Sequence, residues 1–209
     1  MDKPTLALFD FDGTLTLSDT LPLFMRHATG WGGMLCSMLS VLPAMSILAC
    51  NGWKSIGNIS AGATKEKLLH RCFKGKSLQE VEPIFASFAS TIDTVVARSV
   101  YDSMLSHIEQ GHTVVIVSAS VDKWILPWAS QLGVSEVIAT QLQVVDDKYT
   151  GRFMGKNCNG EEKVRRIAER YSPHDYHIIA YGNSSGDYPM FDFAHQAFLC
   201  NKGNITQYK

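Results

Sequence analysis

The sequence lacks an excess of charge of either sign, which bears on the kind of partner it can have. It has 19 Lys and Arg residues against 20 Asp and Glu residues. Proteins that bind nucleic acids usually carry a clear surplus of positive charge. We therefore expect no nucleic-acid partner.

Paired or clustered cysteines are also missing. The five cysteines are odd in number and show no Cys-x-x-Cys spacing, so neither a disulfide framework nor a zinc knuckle is indicated. Residues 1–4 are too short to form a signal peptide ahead of the first apolar run. We expect a cytoplasmic protein, with a peripheral position at the inner membrane as the alternative.

One long segment, residues 28–53, contains no Asp, Glu, Lys or Arg. Its apolar part, residues 31–50, has about the length needed to cross a bilayer. Its Gly, Ser and Pro residues and its low density of Leu, Ile, Val and Phe argue against a strong spanning helix. The favoured interpretation is a buried pair of helices broken near Pro43, and the alternative is a surface that contacts lipid.

The most informative segment is an apolar run that ends in two acids, TLALFDFDGT at residues 5–14. In an extended chain Asp10 and Asp12 lie on the same side, and Gly13 allows the chain to turn directly afterwards. Two neighbouring carboxylates repel each other unless a cation or a shared proton offsets the repulsion. The segment therefore predicts a strand that leads into a Mg²⁺ site.

The rest of the chain predicts an α/β fold. After the first strand and its turn, helical patterns fill the chain to about residue 91, and helix and strand alternate from about residue 93 onward. Such alternation is typical of a doubly wound parallel sheet with right-handed crossovers. We expect a core of residues 1–14 and 91–209, with a helical cap inserted at 15–90 after the first strand. Because ligands bind beyond the carboxyl ends of such strands, this insertion is expected to act as a lid.

Four segments together resemble the signatures of the haloacid dehalogenase superfamily of phosphatases. The first is Asp-Phe-Asp-Gly-Thr after an apolar strand, and the second is Ser118-Ala119-Ser120 after the predicted strand 113–117. Lys163 and the sequence YGNSSGD at residues 181–187 stand in the order of the third and fourth. The helical insertion, with residues 150–152 and 155–158, is similar to the phosphoserine-phosphatase-like branch, subfamily IB.

The resemblance implies a Rossmann-like core and a Mg²⁺-dependent phosphomonoester hydrolase that works through an aspartyl-phosphate. Asp10 would be the nucleophile, Asp12 the general acid and base, and Lys163 the lysine that pairs with the nucleophile and the phosphate. The implied substrate-binding residues are Phe11, Asp19, Ser118 and Ala119. The implied metal ligands are Asp10, Asp12, Asn183 and Asp187.

Three positions do not match the family pattern. Asn183 stands where the family usually has Asp, and an amide oxygen offers Mg²⁺ less negative charge than a carboxylate does. Asp19 stands where phosphoserine phosphatases usually have Glu, and Arg71 is out of register with their cap arginine. Phosphoserine is therefore not the expected substrate. The expected substrate is a small phosphorylated metabolite or a lipid head group.

Two other functions stay open at this stage. One is a membrane-surface phosphatase of a phospholipid head group of the phosphatidylglycerophosphate type, with membrane contact through residues 28–53. The other is a binding protein that keeps the fold but has lost efficient turnover through Asn183. The oligomeric state is not predicted.

Overall fold

The computed structural model describes residues 3–39, 41–50 and 60–209. They form two compact units, the first made of residues 1–20, 86–140 and 156–209 and the second of residues 21–85 and 141–155. We predicted an insertion at 15–90, and the second unit contains residues 141–155 in addition. That this unit acts as a lid stays a prediction.

The described strands, in chain order, are β1 (Thr5–Phe9), β2 (Thr113–Val121), β3 (Glu136–Thr140), β4 (Leu142–Val145), β5 (Lys148–Phe153), β6 (His177–Gly182), β7 (Gln196–Asn201) and β8 (Asn204–Gln207). The described helices are α1 (Thr20–Leu39), α2 (Leu42–Cys50), α3 (Ala61–Phe73), α4 (Leu78–Ser87), α5 (Ala89–Asp93), α6 (Arg98–Glu109), α7 (Asp122–Ala129), α8 (Glu161–Ala168) and α9 (Tyr188–Phe193).

The first unit is built on a six-stranded sheet with the order β3-β2-β1-β6-β7-β8. The first five strands of this order are parallel, and β8 pairs antiparallel with β7. The predicted doubly wound parallel sheet is confirmed. The strand β8 was not predicted; it follows a tight turn in which Lys202 and Gly203 both have positive φ, 48° and 85°.

The register of the sheet around the central strand β1 shows which strand ends lie side by side. Its residues 6–9 are fully buried, as expected of a strand covered on both faces. In the register of the sheet, Phe9 lies opposite Ile116 of β2 and Tyr181 of β6. The chain segments that follow these three strands therefore emerge together at the carboxyl edge of the sheet.

The second unit joins helices α3 and α4 to the β4–β5 hairpin. The aromatic rings of Phe73 and Phe85 lie 6.2 and 5.9 Å from that of Tyr149 on β5. Gly151 has φ of 72°, and a Cβ atom there would come within 2.4 Å of the Cα of His70. This close packing on α3 is the reason why residues 141–155 belong with the helices.

The uncharged stretch forms helices, as predicted, but among its described side chains only that of Val41 is buried. Helix α1 ends at Leu39 and α2 begins at Leu42, so the helices break near Pro43, which lies in the first turn of α2. Residue 40 lies outside the described residues. Trp31 and Leu35 are 70% and 61% exposed, so the favoured interpretation of a buried pair is wrong for these positions. The side chains of residues 36–38, 44, 45 and 48, and all of 51–53, lie outside the described part. Within the described part, no helix combines the length and the apolar character needed to cross a membrane.

Candidate active site

The candidate site lies where β1, β2 and β6 end. The backbone N–H of Asp10 still donates to the carbonyl of Tyr181 on β6, at 2.9 Å. The chain then turns within residues Phe11–Leu15, where Gly13 takes φ of 77°. A residue with a side chain rarely adopts this φ, which explains the glycine.

A buried lysine bridges two buried carboxylates at the centre of the site. The Nζ atom of Lys163, on α8, lies 2.6 Å from Oδ1 of Asp10 and 2.6 Å from Oδ1 of Asp187. Lys163 and Asp187 are each 1% exposed and Asp10 is 6% exposed. The structure thus brings together three of the predicted site residues in contacts that span the chain.

The charges in this cluster do not balance. Burial, and then the charge of Asp187, raises the pKa of Asp10 to about 7, while Lys163 acts in the opposite direction. Burial by itself would lower the pKa of Lys163, but the carboxylates of Asp10 and Asp187 outweigh it and hold that pKa above its usual value. Lys163 therefore stays charged, and negative charge remains in excess around Asp10.

The chain itself holds Asp187 in place. Its Oδ2 atom accepts hydrogen bonds from the backbone N–H groups of Asn183 and Ser184, both at 3.0 Å, and from the hydroxyl of Ser184 at 3.1 Å. A Cβ atom on Gly182 would come within 2.6 Å of the Asp187 side chain, so the glycine leaves room for this carboxylate. Both carboxylate oxygens of Asp187 are thus engaged by the protein.

The carboxylate of Asp12 is held by hydroxyl and amide donors. Its Oδ1 atom accepts from the backbone N–H of Thr20 at 2.8 Å and from the Thr20 hydroxyl at 2.7 Å. Its Oδ2 atom accepts from the Ser120 hydroxyl. Thr20 and Ser120 are fully buried, so these contacts fix the orientation of Asp12.

Sequence analysis missed three of the hydroxyl residues in this site, Thr14, Thr20 and Ser120. Thr14 donates to Oδ2 of Asp10 at 2.9 Å. Thr14 and Ser120 both belong to segments that were noticed for their resemblance to the family, which is the signal that could have identified them. Thr20 has no such signal, because its contact depends on how the chain enters α1.

The predicted substrate-binding residues have different surroundings. Ser118 is 1% exposed, and its hydroxyl accepts from the backbone N–H of Ser120 at 2.9 Å. Ala119 is partly exposed at the end of β2. The ring of Phe11 is fully buried and packs 5.7 Å from that of Trp128, so the side chain belongs to the core. Asp19 is exposed, and it is the neighbouring Thr20 that contacts Asp12.

Asn183 lies at the exposed side of the site, against the turn. A Cβ atom on Gly13 would come within 2.1 Å of its Nδ2 atom, so the amide packs directly on the residue after Asp12. No three His, Cys, Asp or Glu side chains of the described ranges stand close enough to hold a metal ion. Asp10, Asp12 and Asn183 nevertheless offer only oxygen donors next to excess negative charge. Mg²⁺ prefers oxygen, needs only one or two carboxylates and keeps several waters, so this donor set fits it.

Comparisons with known proteins agree with this geometry. A family model of haloacid dehalogenase-like hydrolases matches residues 7–192. The protein CicA of Caulobacter vibrioides is 31% identical over 199 residues, which are 92% of this chain and 84% of that protein. A probable phosphatase of Mycobacterium tuberculosis is 34% identical over 206 residues, 94% of this chain and 69% of that protein.

Solved structures share the fold. A protein of unknown function from Bordetella pertussis has a TM-score of 0.78 and 23% identity, covering 93% of this chain and 89% of its own. A phosphoserine phosphatase, solved as an analogue of its phospho-aspartyl intermediate, has a TM-score of 0.60 and 24% identity, with 94% and 86% covered. The similarity of fold to phosphoserine phosphatases is therefore confirmed.

Proposed function

The chain belongs to the haloacid dehalogenase-like hydrolases, and from this premise we propose that it is a phosphatase that hydrolyses phosphomonoesters through an aspartyl-phosphate on Asp10. The observation that carries the proposal is the cluster of Asp10, Lys163 and Asp187, with both Nζ to Oδ1 distances at 2.6 Å. A carboxylate repels a phosphate dianion. A fixed lysine beside it reduces that repulsion and also offers a donor to the phosphoryl oxygens.

In the first step one carboxylate oxygen of Asp10 forms a bond to phosphorus while the bond to the ester oxygen breaks. Thr14 and Lys163 each hold one oxygen of this carboxylate, at 2.9 and 2.6 Å, so the side chain is oriented before substrate arrives. Such orientation lowers the entropic part of the barrier.

Asp12 is proposed to give a proton to the departing ester oxygen. In the second step it would take a proton from the water that attacks the aspartyl-phosphate, which regenerates Asp10 and releases phosphate. The three hydrogen bonds from Thr20 and Ser120 support this role, because they keep the Asp12 carboxylate in one orientation.

We propose Mg²⁺ as the cofactor, held by Asp10, Asp12 and Asn183. When bound, the ion would neutralise negative charge on the phosphoryl oxygens and on Asp10. Asp187 would contact the ion or one of its waters, and its hydrogen bonds also fix Lys163 and the backbone beside Asn183. With an amide at residue 183, one full negative charge fewer faces the ion.

The proposed substrate is a small phosphorylated metabolite, and a lipid head group is the second candidate because of the exposed apolar helices of the second unit. A panel of phosphorylated metabolites, together with a phospholipid monophosphate in mixed micelles, separates the two. Turnover of the micellar lipid alone would identify the membrane-surface phosphatase.

The decisive experiment measures hydrolysis of a generic chromogenic phosphate ester by the wild type and by Asp10→Asn, with Mg²⁺ and with EDTA. We expect turnover only in the wild type with Mg²⁺, because an amide is a poor nucleophile toward phosphorus. Asp192→Asn, at an exposed position of α9, is the matched control and should keep full activity. Equal activity of Asp10→Asn and the wild type would exclude the covalent mechanism, and a wild type that binds phosphate but never turns over would indicate the binding protein.

A further inference from the structure

An exposed apolar surface in the second unit has no part in the proposed chemistry. It consists of the end of α1, residues 31–39, and the whole of α2, and we call it the apolar helix pair. Its large exposed side chains are Trp31 at 70%, Leu35 at 61%, Leu39 at 56%, Leu42 at 49% and Ile47 at 39%. Several large apolar side chains exposed along two successive helical segments are typical of an interaction site.

The helix α2 is apolar on every side. Its sequence, LPAMSILAC, has no charged residue, and six of its nine residues are described as exposed. A surface helix of a water-facing protein normally has a polar face, whereas a helix that is apolar all round is normally covered by protein or by lipid. Something outside the described chain is therefore expected to cover it.

The charge of the chain segment that contains the apolar helix pair indicates what covers it. Residues 21–85 contain seven Lys and Arg residues and three Glu residues, which leaves 12 basic against 17 acidic residues in the rest of the chain. The guanidinium of Arg26 lies 5.0 Å from the ring centre of Trp31, where the pair begins. Tryptophan beside arginine is typical of the head-group level of a membrane, where the ring and the aliphatic stem contact lipid and the charge meets phosphate.

We propose that the apolar helix pair docks this protein onto the surface of an anionic phospholipid membrane. The nine residues of α2 are about 14 Å long at 1.5 Å per residue, against a hydrocarbon core of about 30 Å. The pair thus reaches into one leaflet, in the manner of an interfacial helix. A second copy of the chain fits less well, because a symmetric contact would bring two basic segments together.

Flotation with phospholipid vesicles tests the proposal without any substrate, so its result is independent of the proposed phosphatase activity. We expect the wild type to float with vesicles of phosphatidylcholine and phosphatidylglycerol in a 3:1 ratio, more weakly with phosphatidylcholine alone, and less in 500 mM than in 50 mM salt. Equal binding to neutral and anionic vesicles would overturn the proposed choice of lipid.

The variant Leu35→Asp/Leu42→Asp should lower the partition onto anionic vesicles by at least about tenfold, as expected from removing two apolar side chains from the bilayer. Leu126→Asp, at a 42% exposed leucine of α7, is the matched control and should bind like the wild type. Arg26→Glu is a second variant at an exposed position, and it should weaken binding at least about fivefold and reduce the salt dependence.

Absence of wild-type binding, or unchanged binding of both Leu35→Asp/Leu42→Asp and Arg26→Glu, would overturn the proposal. A dimer in solution that the double aspartate variant loses, without vesicle binding by the wild type, would identify a second copy as the occupant instead. Light scattering after size exclusion gives that measurement on the same samples.

Discussion

Asp10→Asn is expected to stabilise the metal-free protein at pH 8 even as it removes the proposed nucleophile. The expectation rests on the unbalanced charge of the site, where Asp10 and Asp187 share a single buried lysine. An amide has nearly the shape of the carboxyl group and carries no charge. In the variant, Lys163 still has Asp187 at 2.6 Å as its counter-ion.

The size of the expected stabilisation follows from the pKa of Asp10, which is about 7 in the folded protein against an ordinary value of 3.8. Because folding raises this pKa, the folded state binds the proton of Asp10 more tightly than the unfolded state does. The stabilisation that this proton provides is complete below pH 3.8 and is lost as the pH rises to about 7. At about 1.4 kcal/mol per pH unit, the ionised carboxyl lowers the free energy of unfolding by up to about 4 kcal/mol at pH 8. At pH 5 the same relation lowers the free energy of unfolding by less than about 2 kcal/mol.

Urea unfolding followed by circular dichroism in EDTA measures both values. We expect Asp10→Asn to exceed the wild type in unfolding free energy at pH 8 and the difference to shrink at pH 5. Asp192→Asn, an exposed control on α9, should differ little from the wild type at either pH. Added Mg²⁺ should reduce the difference at pH 8, because a ligand that binds the ionised site stabilises only the wild type. A variant that is no more stable than the wild type at pH 8 would refute the reasoning.

Three further outcomes are expected. Asn183→Asp should tighten Mg²⁺ binding about tenfold by calorimetry, since a full charge is added beside the ion; unchanged or weaker binding would mean that residue 183 does not face the metal. Ser120→Ala should lower kcat about 10- to 100-fold with little change in KM, because the proposed acid–base carboxylate loses a donor that orients it; an unchanged kcat would contradict that role. Gly151→Ala should lower the free energy of unfolding in urea by more than about 1 kcal/mol, and by more than Gly155→Ala does. Of these two glycines, only Gly151 lies where a Cβ would overlap the backbone of His70. Equal losses of stability in the two variants would count against that overlap.

The parts of the site that follow strands could be predicted from the sequence. Parallel strands align their carboxyl ends, so an acid pair after β1, a serine after β2 and YGNSSGD within and after β6 had to meet at one edge of the sheet. Lys163 is different, because it lies on a charged helix where a lysine normally faces solvent. Only its order along the chain, through the family resemblance, indicated that it would pair with the nucleophile, and in the structure it is 1% exposed.

Contacts that depend on tertiary packing could not be predicted in the same way. The Ser120 hydroxyl meets Asp12 across 108 residues of sequence, and no local pattern specifies that pair. The packing of the β4–β5 hairpin on α3 depends on a Gly151 without a side chain, and no local pattern specifies that contact either. Periodicity also failed at α2, because an apolar pattern indicates that a helix needs to be covered and does not say whether protein or lipid covers it.

The two acids of the first signature follow strand β1, which ends at Phe9, and the structure gives them different partners with a chemical consequence. Asp10 meets a buried lysine, whereas Asp12 meets the hydroxyls of Thr20 and Ser120. A nucleophile needs a neighbouring cation to approach a phosphate dianion, and an acid–base group needs a fixed orientation toward the ester oxygen. Two identical side chains can divide these tasks because their surroundings differ.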